Sequence, residues 1–182
     1  FLSIYALTGQ GSIQSADGKI MFLLTQSLVE DQSVSFSEAV TTNDDSGPKY
    51  SKYGLGMSVL AIPFYLVGKL LSALLGIKVS LATQFTVSMI NAILTALSGA
   101  MVFLFATERF KFSPRTALVL ALGFGLSTIA WYYSEDFMSE PAATFFLLSA
   151  AYWLTGNDPV TRKRNLTRAG IFLALAVSCR LA

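Results

Sequence analysis

Histidine is absent from this sequence of 182 residues, and cysteine occurs once, as Cys179. Without histidine the chain lacks the commonest general base and the commonest zinc ligand. A single cysteine inside an apolar run provides neither a disulfide framework nor a thiolate metal site. Any chemistry must therefore use carboxylates, lysines, tyrosines or hydroxyl groups.

Charge is also scarce. Charged residues make up 13% of the chain, hydrophobic residues make up 53%, and the net charge is +2, which is too small to indicate a nucleic-acid partner. Windows such as 80–106 carry no charge at all. A helix of a soluble domain would present a charged face, so the composition predicts an all-α, polytopic transmembrane bundle.

Apolar runs divide the chain into predicted spans. Residues 1–8 are interpreted as the end of a first span, and 9–79 as a long outer loop with interfacial helices. The remaining predicted spans are 80–106, 116–132, 141–155 and 169–182. Because both ends fall inside apolar runs, we expect a single transmembrane domain over 1–182 that is part of a longer protein.

The charged connections predict an orientation. Basic loops at 108–115 and 156–168 are separated by two spans, so they share a side, which the positive-inside rule makes cytoplasmic. The acidic loop at 133–140 then faces outside. If the acidic loop at 10–53 also lies outside, Leu55–Leu75 does not cross and lies at the interface. In the alternative topology, Leu55–Leu75 is an ordinary span and the long loop is cytoplasmic.

Asp17 lies shortly after the first span, in Ser15-Ala-Asp-Gly-Lys19. A carboxylate at this level of the membrane suits a general base that meets a lipid-borne substrate, and Gly18 lets the backbone turn. The alternative is that Asp17 only caps a short amphipathic helix starting near Ile20.

Lysines and tyrosines are concentrated in the run Gly47-Pro-Lys-Tyr-Ser-Lys-Tyr-Gly-Leu-Gly56. Lys49 and Lys52 are candidate phosphate ligands at the level of the lipid headgroups, and Tyr53 accompanies them. The alternative is an interfacial anchor, since Tyr and Lys favour that zone.

Three carboxylates occur in the loop Trp131-Tyr-Tyr-Ser-Glu-Asp-Phe-Met-Ser-Glu-Pro141. Without a basic neighbour in the loop, Glu135, Asp136 and Glu140 would repel one another, which indicates a cation, a basic substrate or the lysines of the 49–56 run as partner. The alternatives are solvation for the first two and pairing with the helix dipole for Glu140.

Taken in order, these segments resemble the polytopic GT-C glycosyltransferases, the superfamily of protein O-mannosyltransferases and aminoarabinose transferases. The resemblance extends over nearly the whole chain. The motifs that carry it are Asp17-Gly18, the 49–56 run leading to Pro63-Phe-Tyr65, the 133–141 loop, and Ala169-Gly-Ile-Phe-Leu-Ala-Leu-Ala-Val-Ser-Cys-Arg180.

The resemblance implies transfer of a sugar from a polyprenyl-phosphate donor to an acceptor at the outer face of a bacterial or archaeal cytoplasmic membrane. Asp17 would activate the acceptor, Lys49 or Lys52 would hold the donor phosphate, and Glu140, or the pair Glu135 and Asp136, would be the second outer-loop carboxylate. A divalent cation is left open as a cofactor, and lipids and other membrane subunits as partners. The alternatives are a non-catalytic subunit of a larger complex and a transporter.

Overall fold

The computed structural model describes residues 1–36, 49–156 and 160–180, and only the backbone of Lys49. The chain is helical, as predicted. Its helices are α1 (Leu2–Thr8), α2 (Ala16–Glu30), α3 (Leu55–Leu75), α4 (Val79–Leu104), α5 (Pro114–Ser127), α6 (Ile129–Ser134), α7 (Glu140–Leu154) and α8 (Arg162–Arg180). A π-helical turn, Phe105–Arg109, continues α4, and strands β1 (Ser35–Phe36) and β2 (Lys49–Tyr50) pair antiparallel.

Two helical segments, Leu55–Leu75 and Val79–Arg109, are long and apolar enough to cross a membrane, whereas Pro114–Ser127 is apolar but shorter. The second segment agrees with the predicted span at 80–106. The first is the segment expected to lie at the interface. Its length and composition suit either placement, so the interfacial location stays a prediction.

The boundaries differ from expectation in two places. The predicted span 116–132 is divided, because Thr128 adopts an extended backbone that ends α5, and its hydroxyl accepts a hydrogen bond from the Ala130 N–H at 3.1 Å to begin α6. The predicted basic loop at 156–168 is largely helical, since α8 begins at Arg162. Lysine and arginine have good helix propensity, so a cluster of basic residues is compatible with a helix and does not by itself specify a loop.

A close hairpin joins α3 to α4. Gly76 ends α3 with φ +66°, a left-handed conformation that glycine adopts without strain. A Cβ added to Gly68 of α3 would lie 2.5 Å from the Thr86 hydroxyl and 2.6 Å from the Thr83 Cα of α4. The absence of a side chain at Gly68 therefore lets the two backbones approach closely, as small residues do between membrane helices.

Polar side chains are frequent in the interior of the protein, and large apolar side chains are frequent on its outside. The interior contains many hydroxyl and amide side chains: Thr25, Ser27, Ser58, Ser72, Thr83, Thr86, Ser88, Asn91, Thr95, Ser98, Ser149 and Asn165. Large aliphatic side chains are exposed on the outer faces of the helices: Leu66, Leu70, Leu74, Leu118, Val119, Leu122, Leu147, Ile171 and Val177. An apolar surface of this extent requires a cover other than water.

The two ends of the helical bundle differ in charge. At one end, the Ser15 N–H donates to the Asp136 carboxylate at 2.7 Å, which joins the start of α2 to the acidic 133–140 loop. At the other end, the Arg109 guanidinium donates to the Tyr152 carbonyl at 3.0 Å, which joins the basic end of α4 to the end of α7. We call these the acidic end and the basic end.

Candidate functional site

Asp17 lies in the first turn of α2 at the acidic end. It is not the helix cap: the Ser15 hydroxyl accepts from the Gly18 N–H at 3.0 Å, so the capping role expected as an alternative for Asp17 belongs to Ser15. A Cβ added to Gly18 would lie 2.5 Å from the Phe137 carbonyl oxygen. This close approach places Asp17 beside the 133–140 loop while leaving its carboxylate free to face outward.

The carboxylate of Asp17 meets Lys52, with 3.8 Å between Oδ1 and Nζ. Both side chains are more than half exposed, so the pair is accessible to a ligand and adds little to stability. Lys52 also lies 5.0 Å from the centre of the Tyr53 ring. Interaction with Tyr53, and next with Asp17, raises the pKa of Lys52, which therefore keeps its positive charge at neutral pH. Partial burial, followed by the neighbouring Asp17, raises the pKa of the Tyr53 hydroxyl.

The 133–140 loop is fixed from inside by Asn91, a fully buried residue near the middle of α4. Its amide nitrogen lies 3.2 Å from the Tyr133 carbonyl, 2.5 Å from that of Asp136 and 3.0 Å from that of Met138. These bonds give three partly buried carbonyls a donor and tie the loop to α4.

Asp136 serves as a structural tie. Its carboxylate accepts from the backbone N–H groups of Gln14 at 3.2 Å, Ser15 at 2.7 Å and Phe137 at 2.7 Å. The sequence indicated a cation, a basic substrate or the lysines of the 49–56 run as partner of this loop, whereas the partners of Asp136 are backbone N–H groups. Glu135 lines a surface depression of about 230 Å³ with Gln10, Gln14, Ser15, Tyr132 and Asp136.

Glu140 also has a partner, the guanidinium of Arg180 at 2.5 Å. For Glu140 the partner thus comes from α8, outside the loop, and not from the 49–56 run. Glu140 borders a cavity of about 190 Å³ between α4, the α5–α6 break and α7, whose polar wall includes Thr95, Ser98 and Thr144. The Thr95 hydroxyl is buried and has no hydrogen-bond partner among the described residues.

The structure therefore brings together three of the seven candidates, Asp17, Lys52 and Tyr53. Glu135 and Asp136 lie in the adjacent loop, and Glu140 lies at a separate cavity with its own cation. Neither of these two cavities is lined by both Asp17 and Glu140. The side chain of Lys49 lies outside the described residues; its backbone pairs with Phe36.

An exposed carboxylate beside an ammonium group can accept a proton from an acceptor hydroxyl while the cation offsets charge on an anionic leaving group. Within residues 1–36, 49–156 and 160–180, no three Asp, Glu or Cys side chains are grouped closely enough to hold a metal ion.

Three residues that organise this end were not identified as such from the sequence. Ser15 precedes a helical segment and is a standard cap residue, so this role was recognisable. Arg180, an isolated cation in an apolar run, indicated a buried or interfacial partner. Asn91 gave a weaker signal, a lone amide in an uncharged span, and its three carbonyl partners are visible only in three dimensions.

No protein-family model matches this chain, and neither the curated proteins nor the solved structures include one significantly similar to it.

Proposed function

We propose that this chain is part of a GT-C type membrane glycosyltransferase that moves a sugar from a polyprenyl-phosphate donor to an acceptor at the outer face of the membrane. The observation that carries the proposal is the exposed Asp17–Lys52 pair, held beside the acidic loop by Gly18 and Ser15. It supplies a base and a phosphate-compatible cation within one site.

The polarity of the molecule supports placement in a membrane. Its interior is rich in hydroxyls and small residues, and its outer faces are aliphatic, which is the distribution expected when lipid replaces water. Separation of the acidic and basic ends favours an orientation with the basic end in the cytoplasm. In this orientation Asp17 faces outside, and α2 and α3 are the interfacial helices of the long outer loop.

In the proposed reaction, Asp17 takes the proton from the attacking hydroxyl or amine of the acceptor. The acceptor oxygen or nitrogen bonds to the anomeric carbon as the bond from that carbon to the donor phosphate breaks, so the configuration inverts. Lys52 stabilises the negative charge that develops on the departing polyprenyl phosphate. Tyr53 positions Lys52 by contact with its ammonium group.

The test uses the intact protein in membranes with a polyprenyl-phosphate hexose and a polyprenyl-phosphate pentose as donors, measuring release of polyprenyl phosphate. Asp17→Asn should lower the rate by about 100-fold or more, as expected for loss of a general base. Asp31→Asn removes an exposed carboxylate at the other end of α2 and should retain the rate. Lys19→Gln is the matched control for Lys52→Gln, which should weaken donor binding.

Full activity of Asp17→Asn would remove this residue from the mechanism. If neither donor is consumed by the unaltered protein, the glycosyltransferase proposal fails, whatever the variants do.

A second candidate is a non-catalytic membrane subunit. It is favoured by one specific observation: Asp136 and Glu140 are occupied by backbone N–H groups and by Arg180, which are structural roles. This candidate predicts that the protein co-purifies with a larger membrane complex and that no donor is consumed. If Arg180→Gln then disrupts assembly of the complex, the result favours the subunit over the enzyme.

A further inference from the structure

The basic end of α4 departs from regular helix. The last turn, Phe105–Arg109, is π-helical, and Lys111 follows with φ +57°, a left-handed conformation that a lysine adopts only at some cost. These two irregularities turn Phe110 and Phe112 outward, where they are 65% and 46% exposed. The chain thus presents aromatic and cationic side chains side by side.

An apolar pocket of about 380 Å³ opens beside this turn. Its walls come from α4, α5 and α7, and they include Val102, Phe105, Phe110, Leu120 and Leu148. No charged side chain lines this pocket. Its apolar walls suit a hydrocarbon chain.

A second pocket, of about 530 Å³, adjoins the first, and the two share Phe105 and Phe110 as walls. The second pocket also has charged walls, from Glu108, Arg109 and Lys111. The Glu108 carboxylate is engaged by the Tyr152 hydroxyl. Within the described part of the chain, neither Arg109 nor Lys111 has an acidic partner.

Arg109 is held in place from one side. Its guanidinium lies 4.3 Å from the centre of the Tyr152 ring and donates to the Tyr152 carbonyl. Its Nε–H is buried and, among the residues described, has no acceptor. A guanidinium fixed in this way, with donor capacity left over, is suited to an anion.

We propose that the adjoining pockets form a binding site for an anionic phospholipid. One acyl chain lies in the apolar pocket, and the phosphate of the headgroup lies against Arg109 and Lys111. Charge complementarity selects this occupant: an apolar compartment joined to a cationic one matches an anionic amphiphile, and basic pockets between helices at the cytoplasmic side hold such lipids. The inference rests on the proposed membrane placement and not on glycosyl transfer.

The test is native mass spectrometry of the whole protein released from micelles that contain phosphatidylglycerol and phosphatidylcholine with identical chains. The unaltered protein should retain one phosphatidylglycerol in preference to phosphatidylcholine. Lys111→Gln should weaken its apparent affinity about fivefold, the effect of one basic residue near a lipid headgroup. Arg115→Gln removes the same charge from the same connection but lines neither pocket, so it should change the affinity less than twofold.

A second pair of variants tests the apolar compartment. Leu148→Trp fills the pocket without changing charge and should abolish retention of the lipid, whereas Leu147→Trp points a tryptophan outward from the same helix and should preserve it. Unchanged thermal midpoints without added lipid verify that each variant is folded. Lys111→Arg keeps the charge and should bind as the unaltered protein does.

Equal retention of both lipids would overturn the proposal. An equal loss of affinity in Lys111→Gln and Arg115→Gln would also overturn it, since that result indicates diffuse electrostatic attraction. Retention of the lipid by Leu148→Trp would overturn it as well. Retention of a peptide or protein in place of lipid would also overturn it. If the protein stays folded and monomeric without detergent, the proposed membrane placement is wrong. This outcome is measured by solubility and not by lipid binding, so the two failures can be distinguished.

Discussion

Replacement of Asn91 by Leu should loosen the 133–140 loop and thereby the whole acidic end. Asn91 is fully buried, and its amide nitrogen donates hydrogen bonds to the carbonyls of Tyr133, Asp136 and Met138. Leucine has a similar volume but no donor, so the substitution isolates the hydrogen bonds from the packing.

The magnitude follows from the donors and acceptors. Two N–H groups are shared by three partly buried carbonyls, and leaving these carbonyls without a donor costs about 1 to 1.5 kcal/mol each, or about 3 to 4.5 kcal/mol together. Asn91 Oδ1 is itself buried without a partner among the described residues, and removing it returns about 1 kcal/mol. We therefore expect the free energy of unfolding to fall by about 2 to 3.5 kcal/mol.

Equilibrium unfolding in mixed micelles measures this difference, and hydrogen exchange locates it. The peptide covering 133–140 should exchange faster in Asn91→Leu than in the unaltered protein. Ser98→Ala is the matched control on the same helix, because the Ser98 hydroxyl donates to the Leu94 carbonyl of its own helix and to no other described residue. A stability within about 0.5 kcal/mol of the unaltered protein, which is the error of such comparisons, together with unchanged exchange of the loop, would refute the reasoning.

Three further predictions concern other contacts. Gly18→Ala should cost about 1 to 3 kcal/mol, since the new Cβ meets the backbone of Phe137; unaltered thermal stability would show that this approach is not close. The Tyr65 hydroxyl, chiefly, lowers the pKa of Glu30 from its usual value, so its ionised form adds stability that is present at neutral pH and lost as the pH falls through the lowered pKa. Glu30→Gln should accordingly be less stable than the unaltered protein at pH 7, and the difference should shrink as the pH falls through the lowered pKa; a difference that stays constant throughout acid titration would contradict this. Thr95→Val should raise the free energy of unfolding by about 1 kcal/mol because it removes a buried hydroxyl without a partner; destabilisation would mean that a ligand or water serves that hydroxyl.

The helical class and most element positions were predictable because uncharged runs of suitable length specify helices by themselves. The 80–106 window illustrates this, since α4 occupies nearly the same residues. The break at Thr128 was not predicted, because hydropathy is averaged over a window of residues and does not depend on the backbone conformation of any one of them.

The candidate site was predictable in its residue types and in part of its geometry. Asp17 and Lys52 do meet, as two segments of one predicted outer loop. The partners of Asp136 and Glu140 were not predictable, because they come from backbone N–H groups more than 100 residues away and from the far end of α8. Local sequence reports which groups need partners, and only the fold determines which groups supply them.

The tie between Ser15 and Asp136 also has a consequence for biosynthesis. More than 100 residues separate the two groups, so a ribosome must add all of α3 through α6 before the carboxylate that anchors the start of α2 exists. Until then the start of α2 lacks the contact that fixes its location. Formation of the acidic end is thus a late event, and in a nascent chain arrested before residue 136 the Ser15 N–H should exchange with solvent faster than in the finished protein.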